Sequence, residues 1–329
     1  MTIKGISIVI CTYNGKSRIT SALDSISQQT TSFPVELLIV DNASTDGTAE
    51  FCSEYLNLKG LGWKVISESQ PGLLHARIAG MKVSKYDWVL FCDDDNVLFP
   101  DFLNNAFEIL EADNSIGVLG SLGVPEINGE KPDWFDQYAH SFAIGPQLQN
   151  SPLSNQLSHV YGACSIFKKK PILALLDKGF SPVMVDRKNE ILLSGGDVEW
   201  CWLTQFSGFK IEYSSELKFF HQIPQSRLTW EYYLRLKEGI ANGAGPLYSY
   251  QYFFQFPDHS GWQFQISYLK QLLKAKLVFF KNSLKLRSKP KLPAQKLALV
   301  ILKTQMNSFS ANKKDSYSHF LQLKKYFVY

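Results

Sequence analysis

Three adjacent aspartates follow an apolar run in the segment WVLFCDDDNVL, residues 88–98. Burial at a strand end and mutual repulsion both penalise the charges of Asp93, Asp94 and Asp95 unless a positive group lies beside them. A hard divalent cation with oxygen ligands would supply that charge. From these residues alone an acidic loop, or a helix start near Pro100, stays open as the alternative.

The elements that must position these aspartates are predicted from the pattern upstream. Short β-rich runs alternate with helix-like segments, which is typical of an α/β sheet. Four runs predict strands: residues 6–10, 35–40, 63–68 and 88–92. Polar side chains follow the first run (Thr12, Tyr13, Asn14), the second (Asp41) and the fourth. Because open α/β sheets bind ligands at the carboxyl ends of their strands, we expect these clusters to converge on one edge.

Downstream patterns are less regular. Residues 161–169 predict a further strand, and residues 198–206 predict a helix followed by a stop at Gly208 and another strand. Apolar residues recur at helical spacing between Ile266 and Leu284, with lysines along a second stripe. The last part of the chain is therefore expected to be mainly helical.

The charge distribution changes near residue 225. Residues 225–329 carry 17 Lys and Arg against 4 Asp and Glu, a net charge of +13, whereas the other 224 residues carry 17 against 26, a net charge of −9. We therefore predict a catalytic domain over residues 1–224 and a basic, mainly helical region over residues 225–329.

Three interpretations of the basic region stay open. Its helices could pack with a solvated lysine face, or the region could contact the anionic inner leaflet of the cytoplasmic membrane, or it could bind nucleic acid. The last ranks lowest because no recognition motif accompanies the charge, so no nucleic-acid partner is predicted. The scattered cysteines, the lack of a signal-peptide pattern and the lack of a bilayer-length apolar stretch predict a cytoplasmic protein.

Six segments, in order, resemble the motifs of the family 2 nucleotide-sugar glycosyltransferases of the bacterial surface-polysaccharide type. They are SIVICTYNG, LLIVDNASTDGT, QPGLLHARIAG, WVLFCDDDN, GGDVEWCW and FFHQIPQSRLTW. The resemblance covers roughly residues 5–235 and implies a GT-A (Rossmann-like) mixed sheet flanked by helices. It further implies metal-dependent, inverting transfer of a sugar from a UDP- or GDP-sugar to a hydroxyl of a glycan or lipid-linked acceptor, in surface-polysaccharide biosynthesis.

The resemblance assigns the acidic cluster to a Mn²⁺ or Mg²⁺ ion, which would stabilise the departing diphosphate as a Lewis acid. Asp95 is expected on the metal and Asp93 near the ribose or a metal-bound water. Asp94 could exchange roles with them because three consecutive aspartates blur the register. His221 is expected to complete the metal shell or to bind the diphosphate, with a structural role as the alternative.

The same resemblance assigns the donor nucleotide. Asp41 would accept the N3–H of uracil or the N1–H of guanine, with a turn shared with Asn42 as the alternative. Arg77 would reach the diphosphate or ribose as a fixed cation. The family often has Asn after this arginine, where this chain has Ile78. Three residues would line the nucleotide: Thr12, Tyr13 and Asn14.

The acidic motif GGDVEW supplies the candidate general base. Inverting transfer needs a carboxylate that removes the proton of the acceptor hydroxyl, and Asp197 is the first choice, with Glu199 as the alternative. A plain helix cap is compatible with either assignment. Gly195 and Gly196 would leave room for the acceptor. Trp200 and Trp202 are candidates to stack on its sugar ring, with a core position for one of the two as the alternative.

Other functions remain open at this point. A nucleotidyltransferase that makes nucleotide sugars usually has a glycine-rich phosphate loop, and the segment CTYNGKSRIT has a single glycine. A non-catalytic nucleotide- or glycan-binding module would be free to lose the acids and the arginine that this chain keeps together. A retaining glycosyltransferase would use Asp197 as a binding group and not as a base.

Overall fold

The computed structural model describes residues 4–59, 62–147, 156–184, 186, 192–285 and 293–328. The chain divides into two compact units. The first comprises Met1–Asp177 and Trp200–Leu228, and the second comprises Lys178–Glu199 and Thr229–Tyr329. The predicted domain division at residue 225 stays a prediction.

The first unit is built on one mixed sheet. Its strands are β1 (Ile6–Thr12), β2 (Val35–Asp41), β3 (Trp63–Ser67), β4 (Trp88–Phe91), β5 (Asn96–Leu98), β6 (Ile116–Ile127), β7 (Ser165–Lys168) and β8 (Lys210–Ile223). They are arranged in the order β3-β2-β1-β4-β7-β6-β8-β5. The mixed α/β sheet flanked by helices is therefore confirmed.

Helices follow the strands along the chain. They are α1 (Thr20–Ser27), α2 (Thr48–Lys59), α3 (Leu73–Val83), α4 (Phe102–Ala112), α5 (Phe135–Tyr138), α6 (Lys169–Asp177), α7 (Gly196–Phe206), α8 (Trp230–Ala241), α9 (Ala244–Gln255), α10 (Gly261–Lys285), α11 (Pro293–Ala311) and α12 (Lys313–Phe327). None of the helices in the described part of the chain is long and apolar enough to cross a membrane.

Four neighbouring strands of the sheet are parallel. β1 pairs with β2 on one side and with β4 on the other, and β2 pairs with β3. The central runs of β1, β2 and β4 are apolar on both faces, as in β1, where Ile8, Val9 and Ile10 are all fully buried. Continuous apolar runs are typical of parallel strands covered on both faces.

Three predicted elements begin at a different residue in the structure. The strand predicted over residues 161–169 is confined to β7, because the chain bends just before it at Cys164, whose φ is +46°. The helix predicted from residue 198 begins two residues earlier, at Gly196. The helix expected near Pro100 begins at Phe102.

The second unit confirms the mainly helical C-terminal region. It contains α8 to α12 together with the segment 178–199. Its core is rich in aromatic rings: Phe264 of α10 stacks on Phe320 of α12, with ring centroids 4.6 Å apart and planes 6° apart. Tyr250 and Tyr268 are almost fully buried in the same unit.

Candidate functional site

The carboxyl ends of β1, β2 and β4 bring the predicted donor residues of the first unit together. Thr12 ends β1 and lies opposite Asp41, the last residue of β2, while Val9 pairs with Phe91 at the end of β4. The order of the strands reverses at β1, since β2 and β3 lie on one side and β4 on the other. Such a switch point is where open α/β sheets bind ligands.

Asp94 is held by hydrogen bonds from two directions. The Arg18 guanidinium donates to both carboxylate oxygens, with Nε to Oδ1 and Nη2 to Oδ2 distances of 2.7 Å. The Thr12 hydroxyl donates to Oδ2 at 2.6 Å. Burial raises the pKa of the Asp94 carboxyl, Arg18 opposes the rise, and Asp95 adds to it.

Asp95 faces a different set of partners. Arg227 Nη1 donates to Asp95 Oδ2 at 2.8 Å, and His221 Nε2 lies 3.6 Å from Asp95 Oδ1. Burial disfavours the charge, yet His221 and Arg227 together hold the pKa of this carboxyl well below its usual range. Asp95 is therefore a permanent anion, 7 % exposed, at the edge of the sheet.

The residues around Asp95 fit a divalent ion. His221 Nδ1 donates to the Phe142 carbonyl oxygen at 2.7 Å, so Nε2 faces Asp95 and would be the nitrogen that binds an ion when it carries no proton. One carboxylate oxygen and one imidazole nitrogen are ligands that Mn²⁺ accepts, and substrate phosphates and waters usually fill the remaining positions of Mg²⁺ and Mn²⁺. Over the described ranges, no group of three or more His, Cys, Asp or Glu side chains could hold a metal by itself.

Asp41 offers an unused hydrogen-bond acceptor. The residue is 7 % exposed, and its Oδ1 atom has no hydrogen-bond partner among the described residues. The neighbouring Asn42 is engaged elsewhere, since its amide donates to the Glu68 and Gln70 carbonyls and accepts from the Gly72 N–H. A buried acceptor without a partner costs free energy, which a ligand donor would recover.

The other predicted donor residues surround this edge. Tyr13 is 45 % exposed, whereas Asn14 adopts a left-handed φ of +49° and its Oδ1 accepts from the Thr45 N–H at 2.8 Å. Arg77, on α3, is 7 % exposed, and its guanidinium carbon lies 5.7 Å from the centre of the Phe91 ring. Asp93 is half-buried.

The candidate base lies in the second unit. Asp197 is half-buried in the first turn of α7, and its Oδ1 accepts from the Val198 N–H at 2.9 Å. Gly196 precedes it and donates its N–H to Asp186 Oδ1 at 2.8 Å. A Cβ atom at position 196 would lie 2.2 Å from Asp186 Oδ2, so this carboxylate fills the space beside the glycine that was predicted for the acceptor.

Glu199 is fully buried and surrounded by donors. Its carboxylate accepts from the Val183 and Met184 N–H groups at 2.7 and 2.9 Å and from the Tyr250 hydroxyl at 2.5 Å. His319 Nε2 lies 3.9 Å away. Burial raises the pKa of Glu199 to about 7, with the three hydrogen bonds opposing the rise. These contacts hold the segment before α7 against the helix.

Trp200, predicted to stack on the acceptor, is 1 % exposed in the core of the first unit. The rings of Phe91 and Phe167 pack edge-on against it, with centroids 5.7 and 5.9 Å away. Its ring is therefore covered by protein and has no exposed face for an acceptor sugar.

Three charged residues of the site escaped the sequence analysis: Arg18, Arg227 and Asp186. The two arginines supply part of the positive charge that the sequence analysis assigns to a divalent ion. The sequence did contain a signal for the two arginines, because the negative charge of the aspartate cluster requires a cation nearby. No sequence pattern pointed to Asp186, which contacts α7 from ten residues upstream.

Comparison with known proteins adds a family to this geometry. The model of glycosyl transferase family 2 matches residues 7–176, more than half of the chain. The poly(ribitol-phosphate) beta-N-acetylglucosaminyltransferase TarP of Staphylococcus aureus is 25% identical over 171 residues, 51% of this chain and 50% of the relative. The chondroitin synthase of Escherichia coli is 28% identical over 122 residues, 36% of this chain and 18% of the relative. The chain thus spans half or less of the length of these relatives.

A solved structure is similar over nearly the whole chain. The mannosyltransferase PcManGT from Pyrobaculum calidifontis, in complex with GDP-Man and Mn²⁺, has a TM-score of 0.54 and 16% sequence identity. The similarity covers 94% of this chain and 86% of that protein. At this identity the likeness concerns the fold, and it confirms the predicted GT-A architecture.

Proposed function

Since this chain belongs to glycosyl transferase family 2, we propose that it transfers a sugar from a nucleotide sugar to a hydroxyl group of an acceptor. The observation that carries the proposal is the edge where β1, β2 and β4 end. A buried acceptor atom without a partner, on Asp41, lies on the strand next to the one whose Thr12 hydroxyl contacts the aspartate cluster. The Asp41 oxygen would bind the base, and the aspartate cluster would lie near the diphosphate of the same nucleotide.

Asp41 would select the nucleotide. Its free oxygen can accept the N3–H of uracil or the N1–H of guanine, and cytosine has no hydrogen at the equivalent ring nitrogen. We therefore propose a UDP- or GDP-sugar as the donor. Tyr13, Thr12 and Asn14 would line the nucleoside, and Arg77 would balance the charge of the diphosphate.

We propose that a divalent ion binds beside Asp95. Asp95 and His221 would hold Mn²⁺ or Mg²⁺, with Asp93 contributing directly or through a water. When bound, the ion would stabilise the negative charge that develops on the departing nucleoside diphosphate. Arg227 helps to keep Asp95 ionised and in place, whereas Arg18 holds Asp94 in place and opposes the rise in its pKa that burial causes.

Asp197 would be the general base of an inverting reaction. Its carboxylate would take the proton of the acceptor hydroxyl as that oxygen attacks the anomeric carbon and the diphosphate leaves from the opposite face. The burial of Glu199 supports this choice, because a carboxylate that accepts three protein donors has little capacity left for an acceptor. Gly195 and Gly196 would then set the start of α7 and so position Asp197.

The acceptor class follows by analogy with the relatives. We propose a glycan or a lipid-linked sugar, in cell-surface polysaccharide biosynthesis, with the protein on the cytoplasmic side and in peripheral contact with the membrane. Such a contact would bring the catalytic unit to a lipid-linked acceptor.

A nucleotide-release assay tests the reaction. The protein is incubated with UDP- and GDP-sugars, Mn²⁺ and a glycan extract, and free UDP and GDP are quantified. A parallel incubation with UTP or GTP, sugar 1-phosphates and Mn²⁺ is assayed for pyrophosphate. We expect release of UDP or GDP, a loss on the order of 10² to 10⁴ in Asp197→Asn, and unchanged donor binding in that variant. Glu199→Gln is the matched control, expected to keep most of the rate.

Two outcomes would contradict these assignments. Pyrophosphate release in the incubation with nucleoside triphosphates and sugar 1-phosphates, without release of UDP or GDP from the nucleotide sugars, would indicate synthesis of nucleotide sugars instead of their use. A rate abolished by Glu199→Gln at normal stability, and retained by Asp197→Asn, would move the base to Glu199.

A further inference from the structure

Helix α10 has a long apolar face exposed to solvent. Seven large apolar residues on it are between 39 and 70 % exposed: Trp262, Ile266, Leu269, Leu273, Leu277, Phe280 and Leu284. At 3.6 residues per turn they fall within an arc of roughly 80° along the whole helix. We call this set the α10 stripe. A continuous exposed apolar surface of this length marks an interaction site.

The orientation of α10 is fixed by its opposite side. Phe264 and Tyr268 are buried, the first stacked on Phe320 and the second with its ring centroid 5.3 Å from that of Phe309. Both buried residues lie more than about 120° around the helix from the middle of the stripe. The packing of the second unit therefore turns the stripe outward.

Lysines border the stripe on both sides. Lys276 lies along one border and Lys270, Lys274, Lys281 and Lys285 along the other, and all five are exposed. No Asp or Glu occurs between His259 and Lys314. An apolar face flanked by lysines, with tryptophan among its apolar residues, is the pattern of a helix that lies in the plane of a membrane surface.

Charge distinguishes a lipid surface from a second copy of this chain. Two α10 stripes packed face to face would bring lysines of both copies together, with no acid on either helix to neutralise them. Anionic lipid headgroups neutralise the same lysines while the acyl region receives the stripe. A groove of about 290 Å³ next to the first turns of α10, lined by Phe256, Trp262 and Lys270 among others, continues the apolar surface.

We propose that the α10 stripe inserts into the headgroup–acyl boundary of an anionic membrane, with its bordering lysines on the lipid phosphates. This inference deepens the proposed function by naming the surface that makes the membrane contact. Vesicle binding is measured without donor or acceptor, so the membrane surface and the transfer reaction can fail separately.

Co-sedimentation of the full chain with vesicles tests the inference. Vesicles of phosphatidylcholine alone are compared with vesicles that contain phosphatidylglycerol, at low and high salt. We expect binding to anionic vesicles to exceed binding to neutral ones by about tenfold or more, and to weaken at high salt because surface charges are screened.

Variants show whether vesicle binding depends on the α10 stripe or on nonspecific adsorption of exposed apolar residues. Leu273→Ser/Leu277→Ser should weaken binding to anionic vesicles by about tenfold, and Lys270→Gln/Lys274→Gln should reduce the preference for anionic lipid. Leu58→Ser is the matched control, since Leu58 is 85 % exposed on α2 of the other unit, and it should bind as the wild type does. All these side chains are exposed, so circular dichroism should show an unchanged fold.

Three results would overturn the proposal. The wild type could stay in the supernatant with anionic vesicles at low salt. The Leu273→Ser/Leu277→Ser variant could bind as the wild type does. Gel filtration could instead show a dimer that this double variant dissociates without any vesicle binding, which would assign the stripe to a second copy of the chain.

Discussion

At the scale of single residues, Asp41 carries the most specific expectation about the ligand. Replacing Asp41 with alanine removes the buried oxygen that we assign to the base N–H. A hydrogen bond to a charged group contributes about 1.5–3 kcal/mol, so the affinity for UDP or GDP should fall by about 10- to 100-fold.

The exposed Asp101, in the same unit, supplies the control variant Asp101→Ala. Calorimetric titration of both variants with UDP, GDP and CDP measures affinity and selectivity together. If Asp41→Ala binds the preferred nucleotide as tightly as Asp101→Ala does, Asp41 does not contact the base.

Glu199 and His319 make stability depend on pH in opposite directions. Burial raises the pKa of Glu199 from 4.5 to about 7 and lowers that of His319 from 6.5 to about 3. As the pH falls below about 7, Glu199 takes up a proton in the folded protein before it does so in the unfolded chain, which raises the free energy of unfolding. Below about pH 6.5, His319 is protonated in the unfolded chain but stays neutral in the folded protein, which lowers the free energy of unfolding.

The Glu199→Gln variant should therefore lose the Glu199 contribution and keep that of His319. Relative to the wild type, its free energy of unfolding should decline by about 3 kcal/mol in total between about pH 7.5 and pH 4.5. Urea unfolding at several pH values measures the difference. A difference that stays constant across that range would mean that Glu199 is ionised in the folded protein throughout.

Some residue positions in the site could be predicted from the sequence and others could not. A strand that ends in acids is a local pattern, and the sequence analysis placed Asp41 and the aspartate cluster at strand ends. The partners of the cluster are distant along the chain, because Arg18 lies 76 residues from Asp94 and Arg227 lies 132 residues from Asp95. Only the register of the sheet decides such pairs.

At the scale of secondary-structure elements, the start of α7 depends on two glycines. Gly195 has a φ of +136°, a conformation that side chains with a Cβ rarely adopt. Gly196→Ala would place a methyl group 2.2 Å from Asp186 Oδ2. We expect this variant to lose about 1–3 kcal/mol of stability, because overpacking displaces either the carboxylate or the first turn.

Removing the obstructing carboxylate should relieve the strain. In Asp186→Ala/Gly196→Ala the loss should be smaller than the sum of the two single losses. Thermal unfolding of the four proteins provides the comparison. Additive losses would show that the methyl group and the carboxylate do not meet.

Strand prediction succeeded where the hydrophobic pattern was unambiguous. The four parallel strands are apolar runs bounded by polar loops, and each predicted run overlaps a strand of the structure. The run before β7 contains two residues, Gly162 and Cys164, that take part in a bend and not in the ladder. Local propensity does not reveal where a strand finds its partner, so the extent of β7 had to come from the structure.

At the scale of the whole molecule, the basic composition of the last hundred residues indicated a change of role. It could not indicate that residues 178–199 join that part of the chain in one compact unit. The link is made by specific contacts such as the one from the Tyr250 hydroxyl to Glu199. Composition reports what a segment contains, whereas unit membership depends on which distant segments pack against it.

Titration of UDP and GDP in the presence and absence of Mn²⁺ is the most direct test of a nucleotide-sugar site at the carboxyl edge of the sheet. We expect Mn²⁺ to tighten the binding of one nucleotide by about tenfold or more, which corresponds to about 1.4 kcal/mol. Asp95→Asn should abolish that gain while circular dichroism shows a folded protein, and Asp101→Asn should keep it. Failure of both nucleotides to bind, or an equal gain in the wild type and Asp95→Asn, would contradict the assignment.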